Sequence, residues 1–459
     1  MKKLLLFVAI AAITVILLPI LGNQVVQNEL NNRIETLSSY GVEARKSVES
    51  STYFTATRHY EFVIKDAGKF LKYLEQISDN QLPPYMDAML LGVVVGVDMS
   101  YSNFLFDKGV KVDIYPLSLS ENMMNGIKKD DKDFYKYITT LLGNKGILYH
   151  INYDLANKDF DGYLKDIKEE YILKDGSKAV LNISKVLFSG SGALIAPTAL
   201  KSTVGHVDFS FIRDSEKFSL KIDDFTSTSN FESHSTYAST AKFKEIEYKI
   251  SGTKMSDLSL KGSNLYINAS SNIQNEKAEF YLKSSFDDFG ITTNRTSFMA
   301  NGFNYDMALN DIDKESLEEL RLLLIHAKTN HSHDLQAKIE KSSIKLLSKG
   351  FTFNMAEFSL DNFTLKDKKR VKGFNIITNI VLKPDANLSK MIQKSPLIVL
   401  QNIVLNAKLI FSKEMMNLIY KEAKAIESVK KYAQEDGDNF VFNVKYADSK
   451  LSVNDKPIK

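Results

Sequence analysis

The chain has 459 residues, of which 44% are hydrophobic and 25% charged, with a formal net charge of +3 and lysines and acids interspersed throughout. That balance excludes wholesale disorder, and the lack of a concentrated basic stripe argues against nucleic acid as a partner. The absence of cysteine removes disulfides, thiolate metal sites, thiol nucleophiles and iron–sulfur clusters together.

Leu4 to Leu21 is an apolar run interrupted by Thr14 and Pro19 and preceded by Lys2 and Lys3. About 18 residues at about 1.5 Å each just cross a hydrocarbon core about 30 Å thick, and the lysines hold the start in the cytoplasm. The run ends Pro19-Ile20-Leu21-Gly22-Asn23, bulky where a signal peptidase wants small side chains, and no cysteine follows to carry a lipid. A retained transmembrane anchor is expected over 1–22, with cleavage as the alternative. Residues 4–21 then tether the chain to a membrane in a single pass, with the rest on the side away from the cytoplasm. Val25, Val26, Leu30, Ile34 and Leu37 recur at near-helical spacing and predict a helical stalk over 23–50.

Beyond the stalk, Ser51 to Lys65 reads as the first strands and Asp66 to Ile77 as a helix. Ala88 to Val97 is wholly apolar, too short to span a bilayer, and is read as a buried strand. Glu121 to Leu142 predicts one amphipathic helix. Period-two alternation then dominates, in Val207-Phe209-Phe211, Phe218-Leu220-Ile222, Ile246-Tyr248-Ile250, Ala278-Phe280-Leu282, Leu335-Ala337-Ile339, Phe351-Phe353-Met355 and Phe440-Phe442-Val444-Tyr446. Such alternation is the mark of antiparallel strands with one buried face. Helices are expected at about Lys314 to Ala327 and about Lys413 to Tyr432. The predicted fold is α+β dominated by antiparallel β: an N-terminal transmembrane helix, then an extended, curved, long-stranded sheet with packed helices over 51–459.

Two echoes suggest related halves, about 51–300 and 301–459. Ile151 to Ala156 matches Phe303 to Ala308, each followed by an acidic, leucine-rich stretch read as helical. Phe218-Ser219-Leu220 with Asp224-Phe225-Thr226 matches Phe358-Ser359-Leu360 with Asn362-Phe363-Thr364. Duplication and coincidence both account for such short words.

Motifs for chemistry are sparse. His331-Ser332-His333, with His326 upstream, is the one histidine cluster, and it reads as a polar loop because zinc needs three or four converging ligands. Ser189-Gly190-Ser191-Gly192 has no lysine at phosphate-loop spacing. The pairs Asp130-Asp131, Asp223-Asp224 and Asp287-Asp288 read as turns and solvated edges. No catalytic, cofactor-binding or metal residue is assigned, no cofactor is expected, and the chain is read as non-enzymatic.

Asn406 to Ser412 leading into the helix at Lys413, the closing Val444-Lys445-Tyr446-Ala447-Asp448-Ser449-Lys450-Leu451-Ser452-Val453-Asn454-Asp455-Lys456-Pro457, and Ser50 to Ala56 near the start resemble the YdgA-like family of bacterial envelope proteins. The first matches that family's strand-then-helix unit and the second its closing hairpin. The third departs by lacking the family's Arg-Gly. The resemblance implies an inner-membrane anchor and a periplasmic β-rich domain of unknown function, and it carries over no catalytic residue. The functional expectation is an envelope protein that binds an apolar ligand, a lipid, or a partner through its sheet. The alternative is a scaffold or assembly factor for the cell wall, outer membrane or flagellum.

Overall fold

The computed structural model describes residues 35–53, 55–78, 86–102, 109–193, 196–233, 235–252, 257–274, 276–327, 333–365, 369–392, 396–422 and 430–458. The anchor over 1–22, the first part of the stalk, His331 and Ser332 lie outside them. Among the described residues no helix is long and apolar enough to cross a membrane. The chain divides into two compact units, residues 1–230 with 247–256 and residues 231–246 with 257–459.

The first unit is an antiparallel sheet of strands taken nearly in chain order: β1 (Val42–Ser51), β2 (Thr55–Ile64), β3 (Val94–Ser102), β4 (Gly109–Ser118), β5 (Tyr149–Asp154), β6 (Asp159–Leu164), β7 (Ile167–Ile172), β8 (Lys178–Ala193), β9 (Ala196–Arg213) and β10 (Glu216–Phe231). Neighbours in sequence pair, except that β6 and β7 share one edge of β8, β7 along Lys178–Ile183 and β6 along Val186–Ser191. Helices α1 (Ala67–Ser78), α2 (Met86–Leu90), α3 (Glu121–Asp130) and α4 (Lys132–Gly143) supply apolar faces to its core. The row Tyr60–Val97–Ile114–Tyr149–Leu164, in register across five strands, is buried there with Phe70, Phe134 and Ile138.

Four expectations are corrected in this unit. The stalk is not helical to residue 50: Gly41, at φ +82°, turns the chain, and β1 begins at Val42 opposite Ile64. Ala88 to Val97 is a helix end, a turn with Gly92 at φ +81°, and then the start of β3. The single helix from Glu121 is two helices. Asp131 is extended, at φ −153°; its backbone N–H closes α3 on Ile127 while its carboxylate caps α4 by accepting from Phe134 N at 3.0 Å. Ile151 to Ala156 is followed by β6, not by a helix, so that echo of Phe303 to Ala308 stops at the strand.

Strand β11 (Tyr237–Ser251) contributes residues to both units. The second unit contains β12 (Leu258–Gln274), β13 (Lys277–Thr293), β14 (Ser297–Asp313), β15 (Phe351–Leu365), β16 (Val371–Leu382), β17 (Ile403–Ser412), β18 (Gln434–Asp436), β19 (Asn439–Ala447), β20 (Lys450–Val453) and β21 (Lys456–Ile458). From β12 to β17 each strand pairs with the next, β17 pairs with β19, and β19 continues through β20 to β21, all antiparallel. Helices α5 (Lys314–Ala327) and α6 (His333–Ser348) pack on each other, and α8 (Lys413–Glu422) packs on β16 and β17; the short α7 (Leu388–Ile392) lies between. Leu335-Ala337-Ile339 is therefore helical, not a strand. Its alternation coincides with an i,i+4 pattern, reinforced by the Asp334–Lys338 ion pair at 2.7 Å. The predicted helix from Lys413 is described as far as Glu422.

The closing segment forms two tight hairpins, with Asp448 and Ser449 at φ +50° and +59° and Asn454 and Asp455 at φ +49° and +60°. Left-handed pairs of this kind match the twist of the strands, and the second position favours glycine. Asp455→Gly is expected to stabilise the protein by about 0.5 kcal/mol, the relief of left-handed strain exceeding the entropy added to the unfolded chain. A small rise in thermal midpoint checks it.

Candidate functional site

The second unit carries an apolar sheet face built by register. In the first row Phe286, Phe303, Leu360, Phe374, Phe411 and Phe440 stand directly opposite one another across successive paired strands. Beside it run Tyr305–Phe358–Ile376–Leu409–Phe442, then Leu282–Met307–Met355–Thr378–Ala407–Val444–Val453, then Phe280–Leu309–Phe353–Ile380–Leu405–Tyr446–Leu451–Ile458. Paired residues project to the same side of a sheet, so all four rows share one face. Rings touch along it: Phe286 on Phe303 at 4.8 Å between centroids, Phe358 on Tyr305 at 5.8 Å and on Phe374 at 5.0 Å, and Phe411 on Phe442 at 6.3 Å.

A bulge keeps these rows in phase. Opposite Met307 and Asp306 of β14 stand Met355 and Glu357 of β15, leaving Ala356 unpaired. Without that extra residue Phe358 and Leu360 would fall on the other face from Phe353 and Met355. The reverse face is mainly polar, although Ile377, Ile410 and Val441 also lie on it: Lys283 and Asp306 form an ion pair at 3.4 Å, Ser359 donates to Glu357 at 2.7 Å, and Asn406, Lys408 and Lys445 are exposed.

The apolar face is only partly covered. Met416 of α8 is buried against Phe440, Phe442 and Val453 at one end. Phe286, Phe303, Tyr305, Met307, Phe358, Phe374 and Leu409 remain half-buried. The first unit's core rows, in contrast, are covered by helices.

A second arrangement, on the first unit's sheet face opposite its core, is polar. His59, Asp98, Asp113 and His150 stand in register across β2, β3, β4 and β5. His59 Nδ1 lies 2.6 Å from Asp98 Oδ1, and His150 Nδ1 lies 2.7 Å from Asp113 Oδ1. The two carboxylates face each other, an unfavourable pairing offset by cations and donors. Lys145, held at φ +51° after α4, donates to Asp98, and the Tyr115 hydroxyl donates to Asp98 Oδ2 at 3.0 Å. Burial works against the Asp98 charge, but the bonds from Lys145, His59 and Tyr115 outweigh it and hold this carboxyl below the usual carboxylate range. Burial and the bond to Asp98 push the Tyr115 hydroxyl up, so it stays protonated. A third pair, His206 with Asp223 at 2.5 Å, joins β9 to β10.

The other imidazole nitrogens of the first two pairs also face partners: His59 Nε2 lies 3.5 Å from Glu61, and His150 Nε2 3.1 Å from Asn152 Oδ1. In this arrangement the histidines tie strands together. Asp98→Asn is expected to cost about 1–2 kcal/mol at pH 7 by unpairing Lys145 and His59. Because the folded pKa lies below the unfolded one, the charge stabilises the fold above about pH 4 and ceases to as pH falls through the folded value. The gap in urea midpoint between the two proteins should therefore narrow progressively below about pH 4; a gap independent of pH would exclude the charged network as its cause.

The motifs singled out from sequence lie elsewhere. His333 opens α6. Ser189 to Gly192 belongs to β8, where a side chain at Gly190 would strike the Phe160 ring at 2.5 Å. Asp223 and Asp224 lie within β10, and Asp287 and Asp288 within β13, bonded to Asn264, Ser263 and Asn301, not in turns. The histidine–aspartate pairs were invisible to spacing because their partners meet through register. Among the described residues no group of three or more histidines and acids is placed to hold a metal ion. The chain matches no protein-family model, no curated protein and no solved structure.

Proposed function

We propose that the chain is a non-enzymatic, membrane-tethered protein of the bacterial envelope that holds the alkyl chains of lipids on the apolar face of the second unit. The half-burial of Phe303, Tyr305, Phe358 and Phe374 carries this reading. Apolar side chains lined up in register and left partly open to water favour an apolar occupant, gaining about 25 cal/mol for each Å² they lose to it. The 4–21 run supports a lipid as that occupant, because a chain tethered there works beside a reservoir of alkyl chains. The periplasmic placement follows from Lys2 and Lys3 by the positive-inside rule, and it accords with the YdgA-like resemblance.

Native mass spectrometry of the full-length protein ejected from nanodiscs tests the reading. Retention of one or a few lipid masses after the surrounding bilayer is stripped is the expected result. A bare chain that instead crosslinks in cells to one dominant protein would favour the scaffold alternative.

A further inference from the structure

The apolar face ends beside α8 in a cavity of about 430 Å³, lined by Leu409, Phe411, Met416, Phe442, Val444 and Val453, with Lys431 and Tyr432 also on its wall. Each of the four rows contributes to it: Phe411 the first, Leu409 and Phe442 the second, Val444 and Val453 the third, and Ile458 the fourth. Its volume falls within the range of about 300–1,000 Å³ typical of small-molecule sites. Burial is graded across it, since Met416, Phe442 and Val453 are buried whereas Lys431 is exposed.

The charges around this cavity are unevenly satisfied. Glu435 is taken by Lys413 at 2.6 Å, and Asp438 by Lys372 at 3.0 Å. The ammonium of Lys413 lies 5.7 Å and that of Lys430 5.5 Å from the centroid of the Phe440 ring. Lys431 has a contact with the Tyr432 ring at 4.9 Å and forms no hydrogen bond or ion pair with a described residue. An exposed ammonium on the wall of an apolar cavity, with Glu435 and Asp438 engaged by other lysines, is complementary to an anion attached to a hydrocarbon.

We propose that this cavity takes a single alkyl chain and that Lys431 pairs with an anionic head group, a carboxylate or a phosphate, at its mouth. The proposal rests on the chain-binding reading above and adds a charge preference to it. A neutral head gains nothing from Lys431, and a cationic one is repelled by it.

Photolabelling of the full-length protein in nanodiscs of zwitterionic lipid tests it. Three probes share one diazirine-bearing chain: a palmitate, a lysophosphatidate and the corresponding fatty alcohol. Labelled peptides are mapped by mass spectrometry. At least one anionic probe is expected to label the peptides holding Phe411, Phe442 or Val453 several-fold more than the alcohol, and the stronger of the two identifies the head group. Lys431→Glu, an exposed substitution that leaves the fold intact, is expected to lower anionic labelling about fivefold and leave alcohol labelling unchanged. Equal labelling by all three probes, indifferent to Lys431→Glu, would overturn the head-group preference and leave chain binding standing. No labelling of these peptides by any probe would overturn the cavity as a chain site, and labelling instead of peptides holding Phe303 or Phe358 would leave the chain-binding reading of the face standing.

Discussion

Phe358→Asp is expected to abolish lipid retention by the full-length protein, whereas Ile377→Asp on the neighbouring strand leaves it intact. Phe358 sits at the centre of the apolar rows, its ring against Phe303 at 6.0 Å, Tyr305 at 5.8 Å and Phe374 at 5.0 Å. A carboxylate there must either stay hydrated, which keeps water on the face, or lose its water without a partner at a cost of several kcal/mol. Either way binding weakens by more than about tenfold. Ile377 projects to the reverse face and is 43% exposed, so the same charge there meets water. Phe358→Leu separates the chemistry from folding: it keeps the row apolar and should retain lipid. Native mass spectra of the three variants, with circular dichroism to verify the sheet, provide the comparison.

The largest stability effect is expected from Phe134→Ala. Phe134 is 1% exposed, on the inner face of α4 with Ile138 and Leu142, and its ring packs on Tyr171 at 4.8 Å. Truncating a fully buried phenylalanine costs about 3–5 kcal/mol, a large share of the total of about 5–15 kcal/mol that holds a typical protein together. Phe303→Ala removes the same atoms from a half-buried position, so less surface returns to water and the cost should be under about 2 kcal/mol. Urea unfolding followed by circular dichroism compares them. Equal costs would mean that the face carrying Phe303 is as covered as the core, and the lipid reading would lose its main support.

Much of the strand content was legible because alternation is a local property. Phe351-Phe353-Met355 and Phe440-Phe442-Val444-Tyr446 read as strands from side chains alone, and both are. Even the bulge has a local trace, since the apolar positions slip from odd to even between Met355 and Phe358. What local reading missed depends on position in space. His59 meets Asp98 across 39 residues of sequence, and His150 meets Asp113 across 37. No periodicity reports such encounters, although three of the seven histidines take part in them. The strand predicted at Leu335 failed for a different reason: apolar residues four apart, Leu335 and Ile339, suit both a strand and a helix, and the Asp334–Lys338 pair suits the helix. Asp131 is a residue type favoured as an N-cap, but it sits inside a longer amphipathic pattern that masked it.

The pairing order from β12 to β17 bears on how the protein is made. Each of these strands is bonded to the one synthesised just before it, so a strand emerging from a ribosome or a translocation pore finds its template already in place. Growth of this kind closes only the turn or helical insertion between successive strands, which spares the chain the long-range searches that slow most β proteins. It also leaves a single advancing edge at any moment, and the next segment of the same chain covers it before a stranger can.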